Sequence, residues 1–217
     1  MKTNSLVWAA VAAFFIFKVK DAQASFMPTE YGTSQNTGAE ILPNMLDEGA
    51  FTVMDPMQDY NMTPNFTLSE FIKSRKAVEK GIDNSLPPEL QSEAFATLSM
   101  MENIRGFLSD LAGKEIKIYI SSGYRTPELN AAIGGDPNSD HMKAAAVDWT
   151  APEFGTPIQI ARVLAENMDN LGIGQLANEF PNSKGPWIHT STKTPALAIN
   201  KIITVTAQGT VPGVVQA

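Results

Sequence analysis

The chain contains two histidines: one lies seven positions ahead of an aspartate set between two large apolar residues, and the other is itself flanked by bulky hydrophobes. His141 lies in "NSDHMKAAAVDWT", seven positions ahead of Asp148, and His189 lies in "GPWIHTS". Taken singly, each residue has a bland reading. A lone histidine is more often a satisfied core or surface residue than a ligand, and an aspartate between apolar residues is often only a turn or a cap. Taken together, two imidazoles and one carboxylate are the donor set of a catalytic zinc site, whose remaining position holds water. The same set fits non-haem iron(II), so residue types leave the metal open.

The three side chains converge if the stretch after His141 leaves a loop, turns and enters a strand, with His189 on a neighbouring strand. The local patterns agree. "KAAAVDWTA" reads as a strand, "IGQLANEF" and "WIHTSTK" as two more joined by the turn "PNSKGP", and "EIKIYISSGYR" alternates like a half-buried strand until it breaks at Ser-Ser-Gly. "TPELNAAIGG" predicts a short helix with Pro127 in its first turn and Gly134-Gly135 at its end. Ahead of these, Leu90, Ala94, Phe95, Leu98, Met101, Ile104, Arg105, Leu108 and Leu111 follow a helical period, stopped by Gly113. In "NFTLSEF", Thr67 and Glu70 have the spacing of a capping box. "TPIQIARVLAENMDNLG" predicts one amphipathic helix capped by Thr156 and closed at Gly172. Helices come first and strands are interleaved later, which predicts an α+β domain rather than a doubly wound parallel sheet.

Length and composition fit one domain with appendages: 217 residues, 43% of them hydrophobic. The net charge of −7, with no basic run interleaved with aromatics, argues against a nucleic-acid partner. With no cysteine there is neither a disulfide nor a thiolate metal site, so any metal must be held by His and carboxylate. The amino terminus runs from "MKTNS" through the apolar "LVWAAVAAFFIF" to Ala22-Gln23-Ala24, the succession of a secretory signal cut after Ala24. An uncleaved membrane anchor over 1–24 is the competing reading, and a buried helix the bland one. The expected organisation is then a polar arm over 25–64, a domain over 65–192, and a β-prone tail over 193–217 to which the sequence assigns no role. The product is exported to the periplasm or outside, or is tethered to a membrane, that of a membrane-containing virion included.

The stretches "SSGYRTPELNAAIGGDPNSDHMKAAAVDW" and "IGQLANEFPNSKGPWIHTS" resemble the D-alanyl-D-alanine carboxypeptidase family of zinc peptidases. That family includes phage endolysins, vancomycin-resistance D,D-peptidases and, more distantly, the zinc domain of hedgehog proteins. The likeness runs from about Asn65 to Ser191. It implies a small antiparallel sheet with flanking helices, Zn2+ on His141, Asp148 and His189, and hydrolysis of peptidoglycan stem peptides or cross-links. It also implies that Arg125 stabilises charge on the scissile carbonyl or holds a substrate carboxylate, tasks that suit a planar, permanently charged fork. With both histidines committed, the general base must be a carboxylate. Glu179 is the leading candidate, on a strand antiparallel to that of His189, with Asp140 as the fallback. Ser139 is expected to contact substrate or orient a ligand, and Trp187 to pack the strand that aims His189. One departure stands out: many relatives have Gly three residues after the first ligand His, whereas this chain has Ala144, which would be strained if that position needs a positive φ. The alternative is a non-catalytic cell-wall-binding or virion structural module on the same fold.

Overall fold

The computed structural model describes residues 60–215. The expected signal or anchor over 1–24 lies outside the described residues, as does the arm up to residue 59. Among the described residues no helix is long and apolar enough to cross a membrane.

The described residues open with a hairpin of β1 (Asn61–Thr63) and β2 (Phe66–Thr67) that feeds α1 (Leu68–Ile72). The capping box forms as the sequence predicts: Thr67 Oγ1 accepts from the Glu70 N–H, and Glu70 accepts from the Thr67 N–H. α2 (Arg75–Lys80) follows, then α3 (Gln91–Ala112), the longest helix among the described residues, ended by Gly113 in the left-handed conformation. Ala94, Leu98, Met101, Ile104 and Leu108 of α3 are fully buried. Phe95, expected on that stripe, is instead 54% exposed. It follows Ala94 directly, and one residue further along a helix is a turn of about a hundred degrees.

The sheet has six strands in the order β3-β4-β6-β5-β7-β8. They are β3 (Tyr119–Ser122), β4 (Ala146–Thr150), β5 (Gln175–Glu179), β6 (Trp187–Ser191), β7 (Ile202–Thr206) and β8 (Gly209–Pro212). Neighbours are antiparallel except β5 and β7, which run parallel. The antiparallel expectation thus holds from β3 to β5 and is corrected at the far side. There the tail beyond Thr192, which the sequence left without a role, returns beside β5 and completes the sheet.

Between β3 and β4 lies α4 (Pro127–Ala132), capped by Thr126. The single helix expected from Thr156 to Gly172 is two: α5 (Pro157–Ala165) and α6 (Met168–Leu171). The break has a local cause. Asn167 donates its side-chain amide to the Val163 carbonyl, and its backbone N–H goes to Leu164 rather than one residue further back, so the turn tightens and the helix stops. α5 lies against β5 and β6.

Alternation divides the sheet into two faces. Val147 and Trp149 of β4, Leu176 of β5, and Ile188 and Thr190 of β6 are fully buried and belong to the core face. The Trp149 indole N–H donates to Thr190 Oγ1 at 3.0 Å. The opposite face carries Asp148, His189 and Glu179.

Candidate metal centre

Register places the pieces. Asp148 of β4 is paired with His189 of β6, which is paired with Ala177 of β5; two residues along, Trp187 is paired with Glu179. Directly paired residues share a face, so Asp148 and His189 stand side by side, with Glu179 and Trp187 in the next row.

His141 arrives from a 3-10 turn, Asp140–Lys143, whose cap Ser139 accepts from the His141 N–H through its hydroxyl. The turn closes on Ala144 at φ 55°, so the position does take the left-handed conformation in which alanine is strained. Its carbonyl accepts from Thr97 of α3 at 2.9 Å, and the strand begins two residues later. His141 Nδ1 lies 2.6 Å from the Gly123 carbonyl. A carbonyl only accepts, so Nδ1 carries the proton and Nε2 has a free lone pair. That Nε2 is buried without a hydrogen-bond partner and sits 3.3 Å from Asp148 Oδ1. His189 Nδ1 is 2.8 Å from the same oxygen. The donor atoms of His141, Asp148 and His189 all lie within 4.8 Å of one another. An orphaned, buried imidazole nitrogen aimed at a carboxylate and a second imidazole fits a metal held by two nitrogens and one oxygen.

The second carboxylate oxygen is held elsewhere. Arg125 Nη2 donates to Asp148 Oδ2 at 2.9 Å, Nε to Ser122 Oγ at 3.1 Å and Nη1 to Asn130 Oδ1 at 3.4 Å. This fork fixes the carboxylate and keeps Oδ1 turned to the histidines. Ser122 reaches the right face because β3 changes register against β4 between Ile120 and Ser122. The irregularity leaves Ser122, rather than Ser121, opposite Asp148. Asn84 clamps the loop that carries Arg125, donating to the Ile72 and Tyr124 carbonyls and accepting from the Thr126 N–H.

The charges are arranged to suit a cation. Burial pushes the His141 imidazole below its usual value, opposed only in part by Asp148, so it is a neutral donor. Burial alone would raise the Asp148 carboxyl, yet the two histidines hold it far below the carboxylate range. Burial likewise works against charge on His189, but the Asp148 hydrogen bond and charge leave it above the usual value. Its Nδ1 faces an Asp148 carboxylate oxygen that only accepts, so it carries a proton there that must leave before that nitrogen can become a ligand.

Glu179 stands beside this centre with its carboxyl raised, first by burial and then by the negative charge of Asp148. Asp140 does not match it: Lys143 Nζ donates to one oxygen at 2.8 Å and Ser191 Oγ to the other at 2.9 Å. Trp187 packs on Phe180, ring centroids 5.2 Å apart. The sequence reading missed Gly123, Ser122, Asn130 and Asn84, whose contributions are contacts between loops distant in the chain. The "SGYR" stretch was the one signal pointing towards the first two.

The peptidase M15 family model matches residues 64–180, more than half of the chain. The match takes in Arg125, His141, Asp148 and Glu179 and ends before His189. No curated protein matches the chain.

Proposed function

The chain belongs to the peptidase M15 family, and from that premise we propose that it is a zinc-dependent peptidase acting on the stem peptides or cross-links of peptidoglycan. One observation carries the reading: the unpartnered His141 Nε2 converges with Asp148 and His189 one strand row away from Glu179. His141, Asp148 and His189 would hold the zinc, which would supply Lewis acidity for activating water and polarising the scissile carbonyl.

The remaining work falls to side chains. The Gly123 carbonyl fixes the His141 tautomer, and Arg125 fixes Asp148, so the donors need little rearrangement. Glu179 takes the proton of the attacking water and returns it to the leaving amine; burial and the Asp148 charge raise its carboxyl, so it holds a proton more readily than an exposed carboxylate. Arg125 adds a fixed positive charge for the oxygen that becomes negative as the carbonyl turns tetrahedral. Export through the amino-terminal segment is part of the same proposal, since the substrate lies outside the cytoplasm.

The test is Glu179→Gln. It should retain stoichiometric zinc and normal unfolding while kcat on purified muropeptides falls about a hundredfold or more, the scale of a positioned base. Near-wild-type turnover would remove Glu179 as the base. Stoichiometric metal with no turnover by the wild type would favour a wall-binding module, and iron in place of zinc would overturn the metal assignment.

A further inference from the structure

Two non-glycine residues have positive φ among the described residues, Ala144 and Phe180. Ala144 is explained by the tight turn that delivers His141. Phe180, at φ 49°, is less expected. It is bulky, and it precedes Pro181, a position that steers a residue towards extended conformations. The strain persists because both ends of the residue are held. The Phe180 N–H donates to the Val205 carbonyl at 2.8 Å, and its own carbonyl accepts from the Ser183 N–H at 2.8 Å.

The conformation decides where the ring goes. Continued extension from β5 would send Phe180 to the core face, opposite Glu179. Instead its ring meets that of Trp187 at an interplanar angle of 40°, and Trp187 shares the metal-centre face with Glu179 and His189. Both aromatic residues are only partly buried. The Trp187 indole nitrogen is buried without a hydrogen-bond partner. Backbone strain kept at such a place is a pointer to function.

We propose that Phe180 and Trp187 form an aromatic ledge that binds an aliphatic C–H face of the substrate next to the scissile bond, with Phe180 as a specificity-determining residue. The inference rests on the peptidase reading. The C–H face has two sources in peptidoglycan, the small apolar side chains of the stem peptide and the sugar ring of the glycan, and both present such a face to aromatic rings.

The full chain tests it through Phe180→Gly, which accepts the left-handed backbone and removes the ring, and Phe180→Tyr, which keeps the ring. Unfolding temperature, bound zinc, kcat and KM are measured on a sugar-free stem peptide and on the corresponding disaccharide muropeptide. For Phe180→Gly we expect unchanged zinc, an unfolding temperature within a few degrees of wild type or higher, and KM raised about tenfold with kcat little changed, the signature of lost binding. Phe180→Tyr should restore KM. A KM effect on both substrates assigns the ledge to the peptide, and an effect on the muropeptide alone assigns it to the sugar. Wild-type KM in Phe180→Gly on both substrates overturns the ledge. So does a KM rise that comes only with lost zinc or a collapsed unfolding temperature, which would make Phe180 purely structural. Failure of the peptidase reading is distinct, because the zinc-loaded wild type would then turn over neither substrate.

Discussion

At the scale of single residues the metal centre is set by space as much as by donors. Gly123 does not need a positive φ; it needs to be small. A Cβ there would stand 2.3 Å from the Phe71 carbonyl oxygen and 2.5 Å from its ring, because the next residue donates its N–H to that carbonyl at 2.8 Å. The Gly123 carbonyl in turn accepts the His141 Nδ1 proton. Gly123→Ala should therefore cost about 1–3 kcal/mol as an overpacking change. By moving the carbonyl that orients a ligand, it should also weaken zinc affinity about 10–100-fold, measured by competition with a chelator. Lost stability with wild-type affinity would mean that the carbonyl does not set the ligand. Ala144 shows the opposite balance. Its left-handed backbone costs about 1–2 kcal/mol, while its buried methyl returns about 0.8 kcal/mol, so alanine is tolerated where glycine is more usual. That His141, Asp148 and His189 come together as a group able to hold a metal was legible in the sequence because donor chemistry admits few residue types. Gly123, Ser122 and Asn130 were not, because their roles exist only once separate loops meet.

At the scale of elements the first hairpin is tied to α3 through one carboxylate. Glu102 accepts from the Asn65 backbone N–H at 2.7 Å and from its side-chain amide at 2.8 Å, and pairs with Arg105 at 3.1 Å. Burial pushes the Glu102 carboxyl up, but the Asn65 and Arg105 donors outweigh it and hold the group below its ordinary value of 4.5. A carboxylate lowered in the folded state contributes stability that is fully present above its unfolded value and lost as pH falls through the folded one. Glu102→Gln should then destabilise the protein by about 1 kcal/mol at neutral pH, and the difference from wild type should fade below about pH 4.5. Urea unfolding at pH 7 and pH 3 measures this, and an equal deficit at both would show that lost packing, not charge, is responsible. Elements with capping chemistry, such as α1 and α3, could be read directly from sequence. The break between α5 and α6 could not, since a polar side chain that ends a helix by bonding back to it leaves the amphipathic period intact.

At the scale of the whole molecule, the α+β class followed from the order of periodic segments, while the width of the sheet did not. Strand pairing between β5 and β7 is parallel and long-range, and a β-prone tail carries no mark of the strand it will join. That tail is part of the body. β7 pairs along all but the first residue of β5, with Leu176, Ala177, Asn178 and Glu179 opposite Ile202, Ile203, Thr204 and Val205. Below it, Thr204 Oγ1 donates to the Gly213 carbonyl and accepts from the Val215 N–H. Removing everything after Lys193 would leave β5 as an open edge, expose the fully buried Leu176 and Asn178, and unseat Phe180, whose N–H goes to Val205. An unpaired edge with apolar neighbours is a template for association. We therefore expect the chain ending at Lys193 to lose several kcal/mol, of the order seen when a set of core contacts is removed, and to associate concentration-dependently, as read by sedimentation and urea unfolding. The candidate ligands lie on β4, β6 and the turn before β4, so on the peptidase reading whatever fraction stays folded should still bind zinc while its turnover drops, because the strand that carries Glu179 has lost its outer support. A truncated chain that remains monomeric, as stable as the full one and equally active would show that β7 and β8 are a passive appendage.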